Sequence, residues 1–455
     1  MNQIKKSVVA ACIVGCAAFY TVGAQAAVSP EQAARLGVDL TPTGAEKAGN
    51  AAGTIPAWAG GITAPPAGYK VGMAHPDPFA SDKIEFTITP QNYKQYADNL
   101  TVGQQAMFAK YPTFKMNVYQ TRRTASFPQR TYEMTKVNAT KCQLVANGEG
   151  VQNCAEGLPF PIPQNAYEVI WNHKLKYKGV ALARWSNQAA VTAGGSYNLV
   201  RLREELLGLY FKPGNTSENI NNILAYFYQE VKGPARLAGQ VLLVHDTLNQ
   251  AKASRQAWVY NPGQRRVRRA PNVEFDNPGT ASDGLRTNDM TDMFNGAMNR
   301  HEWKIVGKKE VYVPYNSYKA HSDKIKVKDL IQPNHLNPDL LRYELHRVWV
   351  VEATLKKGSR HINPRRTFYV DEDSWGILVL DHYDGQGNIW RYMEAPSVNY
   401  YEVPVFWATL ETSHDLKTGR YITGLLDNEE SPFDFSYQAT PEDFSPQNLR
   451  ARGIR

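Results

Sequence analysis

Residues 341–395 carry four strand signals in immediate succession, and that run commits the chain to a sheet. Leu345, Arg347, Trp349, Val351, Ala353 and Leu355 fall on one side of a period-two pattern. His346, Glu352, Thr354 and Lys356 fall on the other, as expected for a strand with one wet face. Arg366 to Val370 follows, rich in aromatic and β-branched residues. Asp371, Glu372, Asp373 and Ser374 then read as a solvated polar turn from which Trp375 to Leu380 returns. Asp384-Gly385, where a positive φ is cheap, introduces Ile389 to Met393. Four antiparallel strands are enough to bury an apolar face, so the expected fold is mainly β.

The amino terminus reads as a targeting segment over residues 1–26. Lys5 and Lys6 precede an apolar run from Val8, and Ala24-Gln25-Ala26 is a small-x-small cleavage signal. The mature chain is then expected to start at Ala27 in the periplasm. Ile13-Val14-Gly15-Cys16 also fits a lipoprotein processing site, which leaves a lipid anchor through Cys16 as the alternative. Cys12 and Cys16 belong to this leader; the remaining pair, Cys142 and Cys154, flanks a loop containing Gly and Asn. In an oxidising compartment a disulfide is the expected state, worth about 3 kcal/mol in the chain-entropy account, with two free buried thiols as the other reading. Two cysteines without a nearby histidine pair do not make a metal site. The formal charge of +8 falls by the two leader lysines, leaving a mildly basic chain suited to anionic headgroups or simply to solubility. Export removes the usual nucleic-acid partner.

Residues 27–80 are dense in Gly, Ala and Pro and read as an extended arm, with a short helix after Ser29-Pro30 and with Trp58, Tyr69 and Phe79 pinning it to the body. Residues 81–455 read as one large β-rich domain. Within it, Tyr93 to Lys110 has helical spacing interrupted at Gly103, and Asn165 to Leu175 is a second helix. Met116 and Val118, then Tyr132 and Met134, read as two strand runs. Further strands are expected over 180–211, Ile223 to Val231, Leu237 to His245 and Ala257 to Tyr260, then an irregular stretch over 271–300, and a terminal helix at 446–451.

The motifs whose chemistry imposes spacing are missing: there is no GxSxG elbow, no phosphate-cradling GxxxxGK[ST] and no HExxH. Asp371-Glu372-Asp373 lacks the central Gly and the later Glu of a calcium loop. No catalytic residue, cofactor site or metal site is therefore assigned. The positive feature is Gln256 to Pro271. Asn261-Pro262-Gly263 marks a turn, after which Arg265 and Arg269 share a face with Val267 while Arg266 and Arg268 share the other. These arginines form either a solvated edge that discourages sheet aggregation or part of a rim that meets anionic headgroups. Trp258 and Tyr260, of equal parity, are candidates for one wall of an apolar cavity, with core packing as the plainer reading.

WVYNPGQRRVRRAP, together with RRTFYVDEDSWGILVLDHYD and GAEKAGNAAGTIPAWAGG, resembles the bacterial family called domain of unknown function 1329, related to periplasmic lipoprotein-sorting and lipoprotein-localisation proteins. The resemblance spans most of residues 50–450. It implies a large curved antiparallel sheet or incomplete barrel, helices covering the concave side, and an apolar cavity for acyl chains. It also implies an inner-membrane exporter and an outer-membrane protein as partners. The leading reading is a periplasmic carrier or chaperone for a lipid, a lipidated protein or another hydrophobic cargo, making at most peripheral membrane contact. A hydrolase of envelope lipid or polymer and a non-catalytic adaptor of a transport complex are the alternatives. A large apolar cavity favours carriage, a nucleophile converging with a base favours the enzyme, and a filled core with an exposed apolar patch favours the adaptor.

Overall fold

The computed structural model describes residues 28–453 except 272 and 274. The leader, its cleavage signal and Cys16 lie outside the described residues. The four consecutive strands form as expected, at Tyr343–Leu355, Arg365–Asp371, Ile377–Tyr383 and Ile389–Glu394. They are antiparallel, with Val351 opposite Phe368, Phe368 opposite Leu380 and Leu380 opposite Met393. Among the described residues they lie side by side in a 16-stranded sheet, third to sixth along its path of pairings. Beyond Ile389–Glu394 the sheet passes through Glu411–Asp415 and Tyr421–Leu426, and the pairing of Tyr421 with Val191 joins it to the strands of residues 181–269. On the other side Tyr343–Leu355 takes His301–Pro314 along its whole length and meets Met116–Tyr119 through one parallel bridge, Tyr343 to Val118, so the sheet is mixed. Among the described residues no strand pairing joins Ile84–Ile88 to Arg266–Arg269 at the two ends of the path.

The central strands have two covered faces, where the sequence suggested one wet face. Cross-strand partners share a face, so Val351, Phe368, Leu380 and Met393 lie together and pack in one core with Val169, Ile170 and Trp171 of the helix Ala166–Leu175. Their neighbours Val350, Tyr369, Val379 and Tyr392 point the opposite way and pack with Met107 and Phe108 of the helix Val102–Lys110. The two helices therefore cover opposite faces of the sheet, not one concave side. Each large side chain taken out of water in this way contributes about 1.5–3 kcal/mol. Among the residues assigned to the wet side, Thr354 is exposed, Glu352 and Lys356 are half-buried, and His346 is buried.

Three local expectations are corrected. Tyr132 and Met134 belong to a helix, Gln129–Lys141, whose inward face is Thr131, Thr135, Asn138 and Ala139. An inward face so polar leaves no hydrophobic period to read. Asn138 anchors the following loop by donating to the carbonyls of Ala155 and Leu158 and accepting from the Ala155 N–H. In that loop Cys142 and Cys154 form a disulfide. The turn Asp371 to Ser374 is buried rather than solvated: Asp373 accepts two bonds from Arg123, and Glu372 pairs with Arg347 and Lys308. The third correction is the long strand His301–Pro314, absent from the strands expected from sequence.

The arm has one short helix, Pro30–Ala33, capped by Ser29, and otherwise lies along the body without strands as far as Ile84. Tyr69 packs edge-on against Tyr401, and Phe79 lies under the guanidinium groups of Arg122 and Arg342. The last helix is Pro446–Gly453. No helix among the described residues is long and apolar enough to cross a membrane.

Candidate functional site

Alternation along the second wing of the sheet makes one apolar wall. In the strands Ala181–Trp185, Tyr197–Gly208, Ile223–Gly233 and Val241–Thr247, Leu182 is opposite Leu206, Leu206 opposite Phe227 and Phe227 opposite Val244. These residues, with Ala225 and Leu242, line one side of a cleft. The opposite side is the irregular segment 271–300, through Asn288, Thr291, Asp292 and Asn295, together with Lys174, Lys178, Trp407 and Glu411. Counted out to its open mouth the cleft has an empty volume of about 1150 Å³. A smaller polar recess of about 410 Å³ shares Arg184, Glu204, Phe227, Leu242 and Glu411 with it, and adds Gln229 and Arg286.

Ion pairs and a buried acid unpaired among the described residues line the cleft. Arg255 donates to both oxygens of Asp246, at 3.1 and 3.0 Å, and also to the Asn295 carbonyl at 2.5 Å, which ties segment 271–300 to the sheet. Lys178 lies 2.5 Å from Asp292, which also accepts from Trp407 Nε1 at 2.8 Å. Burial opposes charge on Asp292, but Lys176 and Lys178 outweigh it and hold the carboxyl well below the usual range. Burial pushes Lys174 down to about 7 and Lys176 down to about 8. Arg184, which lines both the cleft and the recess, donates from Nε to Glu204 at 2.8 Å, with its guanidinium 4.8 Å from the Trp407 ring centre. Glu411 has no ion-pair partner within 4.0 Å among the described residues; burial, aided by nearby Asp292, pushes it up to about 7.

The residues singled out in the sequence lie beside this cleft, not in its lining. Trp258 is opposite Leu243 and Tyr260 opposite Val241, whereas the cleft wall uses Leu242 and Val244. Both aromatics share a face, and it is the face that packs under Phe444 and Leu449 of the carboxy-terminal segment. Arg265 occupies the turn with φ 51°, and Arg266, Arg268 and Arg269 are exposed on the last strand, Arg266–Arg269. Arg268 is opposite Val259, which is opposite Leu242, so Arg268 is on the cleft's face but two strands out from the wall; Arg269 lies over the Trp258 ring. The sequence reading missed Arg184, Arg255, Lys174 and Lys178. One signal for them was available: Leu182 and Arg184 on one strand, and Glu204 and Leu206 on the next, set opposite charges at the parity of an apolar face.

One buried cluster has the donor types of a cation site, since ligand atoms of His346, Asp371 and Asp373 lie within 4.8 Å of one another. Arg123 already engages both Asp373 oxygens, and Tyr315 stacks on His346 with ring centres 3.8 Å apart. A guanidinium therefore supplies the positive charge there, and the cluster is part of the polar core.

Residues 87–450 match the family described as "Protein of unknown function (DUF1329)". A Pseudomonas aeruginosa protein described as uncharacterized is 51% identical over 435 residues, covering 94% of this chain and 95% of its own length. Among solved structures, a DUF1329 family protein from Desulfovibrio piger is 14% identical, with 62% of this chain and 97% of that one covered and a TM-score of 0.43. A LolA superfamily protein from Nitrosomonas europaea is 11% identical, with 62% and 98% covered and a TM-score of 0.38.

Proposed function

We propose that this chain, which belongs to the DUF1329 family, is a periplasmic carrier that shields a lipid, a lipidated protein or another hydrophobic molecule in the cleft during passage between envelope membranes. The observation that carries this reading is an open cleft whose sheet wall is apolar while Arg255 with Asp246, Lys178 with Asp292 and Arg184 with Glu204 form ion pairs along it. Such a site gains by taking apolar surface out of water and needs no bond to be broken. Each methylene transferred is worth about 0.8 kcal/mol, so about ten of them contribute about 8 kcal/mol, a micromolar Kd before ordering costs. That is tight enough to load and weak enough to hand over. The periplasmic location rests on the leader read at residues 1–26, and the exporter and outer-membrane partner on the family resemblance. The exposed Arg265, Arg266, Arg268 and Arg269 suit transient contact with anionic headgroups during handover.

The test is purification of the native protein from the envelope fraction, followed by mass spectrometry of extracted small molecules, beside the variant Ala225→Trp, which fills the cleft from its wall. Wild type is expected to carry a hydrophobic molecule. The variant, equally folded, is expected to carry about tenfold less, the equivalent of about two lost methylene contacts. Wild-type extracts no richer than those of Ala225→Trp would overturn the carrier.

A further inference from the structure

We propose that the polar recess holds the head of a single-chain amphiphile bearing a carboxylate, with Arg184 and Arg286 as its ligands and the acyl chain running outward along the sheet wall. The proposal rests on the carrier reading and adds to it the orientation and head chemistry of the cargo.

The recess and the cleft are continuous, because Phe227 and Leu242 of the apolar wall also border the recess. Ion pairs close in the cleft, whereas the recess keeps two arginine N–H donors and one acceptor, Gln229 Oε1, without a partner among the described residues. Along the cleft, Arg255 is taken by Asp246 and Lys178 by Asp292. In the recess, Arg184 spends Nε on Glu204, while its Nη1 is buried without an acceptor among the described residues; Arg286 donates from Nη2 to Gln188 at 3.0 Å while its Nε is likewise buried without one. A buried N–H left unpaired is costly, so two such donors in a recess that adjoins an apolar cleft mark a place where an acceptor is gained on binding. Arg184 is held rigidly for that purpose between the Trp407 and Phe433 rings, at 4.8 and 5.1 Å.

Charge selects the head. Arg184 and Arg286 bring two positive charges and Glu204 one negative charge. Glu411, pushed up to about 7 by burial and then by Asp292, is largely neutral below that pH. The recess is then left with one net positive charge, matched by a monoanion, and a protonated Glu411 offers a third donor to the same head. A carboxylate accepts from several donors at once and is small enough for the space; charge-assisted bonds of this kind are the strong ones. A long-chain fatty acid, or a hydroxylated relative of one, has this chemistry.

Delipidated full-length protein would be titrated with oleic acid, oleyl alcohol and oleyl phosphate, which share a chain and differ in the head. Wild type is expected to bind oleate about tenfold to a hundredfold tighter than the alcohol. Arg286→Gln, at a half-buried position, should bring that ratio close to one with the alcohol's affinity unchanged. The double variant Arg184→Gln with Glu204→Gln, which removes a charge pair together, should act in the same direction. Equal binding of oleate and alcohol by wild type, both lost in Ala225→Trp, would overturn the head placement while leaving the carrier intact. Tighter binding of oleyl phosphate than of oleate would overturn the carboxylate. Binding of none of the three would overturn the head placement, while the native extracts of wild type beside Ala225→Trp decide the carrier separately.

Discussion

Glu394 shows how a single buried acid becomes a pH-dependent term in stability. Its Oε2 accepts from the hydroxyls of Tyr343 and Tyr392, each at 2.9 Å, inside the core. Burial is the dominant influence and pushes the carboxyl up to about 7, the two tyrosines opposing it. The folded protein therefore binds this proton more tightly than the unfolded chain. The stabilisation is fully present below the unfolded value near 4.5 and is lost as pH rises through 7. Glu394→Gln, a close shape match for the protonated acid, should leave stability near wild type at pH 5 and exceed it by about 2 kcal/mol at pH 8. Denaturant unfolding of both proteins across that range checks it, and a constant difference would sink the assignment. Burial also explains a misreading in the sequence. His346, read on the wet face, is covered by the Tyr315 ring, and its Nε2 meets Glu344 at 3.1 Å, a carboxylate that in turn accepts from the Arg122 N–H and from Asn316. A charged letter in a strand does not reveal a partner more than two hundred positions away.

The helix Val102–Lys110 was legible from its spacing, and its start is also written locally. Thr101 Oγ1 accepts from the Gln104 N–H at 3.1 Å, and Gln104 Oε1 accepts from the Thr101 N–H at 2.9 Å. Gly103 argued against an unbroken helix in the sequence, and the packing supplies its reason. A Cβ there would lie 2.2 Å from Asp381 Oδ1 and 2.6 Å from Tyr392 Cδ2, so glycine lets the first turn lie directly on the sheet. Alanine improves helix propensity by about 1 kcal/mol, but the overlap should outweigh that gain and leave Gly103→Ala about 1–3 kcal/mol less stable. A thermal midpoint equal to or above wild type would show that the helix has room to shift. The elements that escaped the sequence reading lacked this local signature. Gln129–Lys141 turns threonines and an asparagine inward, and Pro128 at its N-cap position makes no side-chain cap bond. His301–Pro314 carries a bulge between Ile305 and Gly307 that breaks its alternation.

Long-range assembly was the least legible part. The central hairpins are contiguous in sequence, but the cleft draws its wall from residues 182–246 and its charged side from segments around 174, 292 and 411. Among the described residues, the pairing of Tyr421–Leu426 with Asn187–Val191 is what brings these wings into one sheet. The arm is integrated by equally remote contacts. The sequence pointed to Trp58, Tyr69 and Phe79 as its anchors, whereas the structure adds a polar clamp. Arg123 donates to the carbonyls of Glu46, Lys47 and Pro56, and Arg347 to those of Glu46 and Ala48. An arm without strand pairing has unpaired backbone carbonyls, and these guanidinium groups satisfy them. The same arginines neutralise Asp373 and Glu372 in the turn at the end of Arg365–Asp371. Arm, central sheet and buried turn are thus coupled through two side chains, and the loss of one should be felt by all three. Arg123→Ala would leave Asp373 buried without its charge partner, at a cost of about 3–5 kcal/mol. Limited proteolysis of this variant should cut within residues 43–56 before the sheet strands are attacked, while wild type stays intact at the same protease level. Unchanged stability with the arm still protected would mean that the apolar anchors alone hold it, and that the clamp is a consequence of docking rather than its cause.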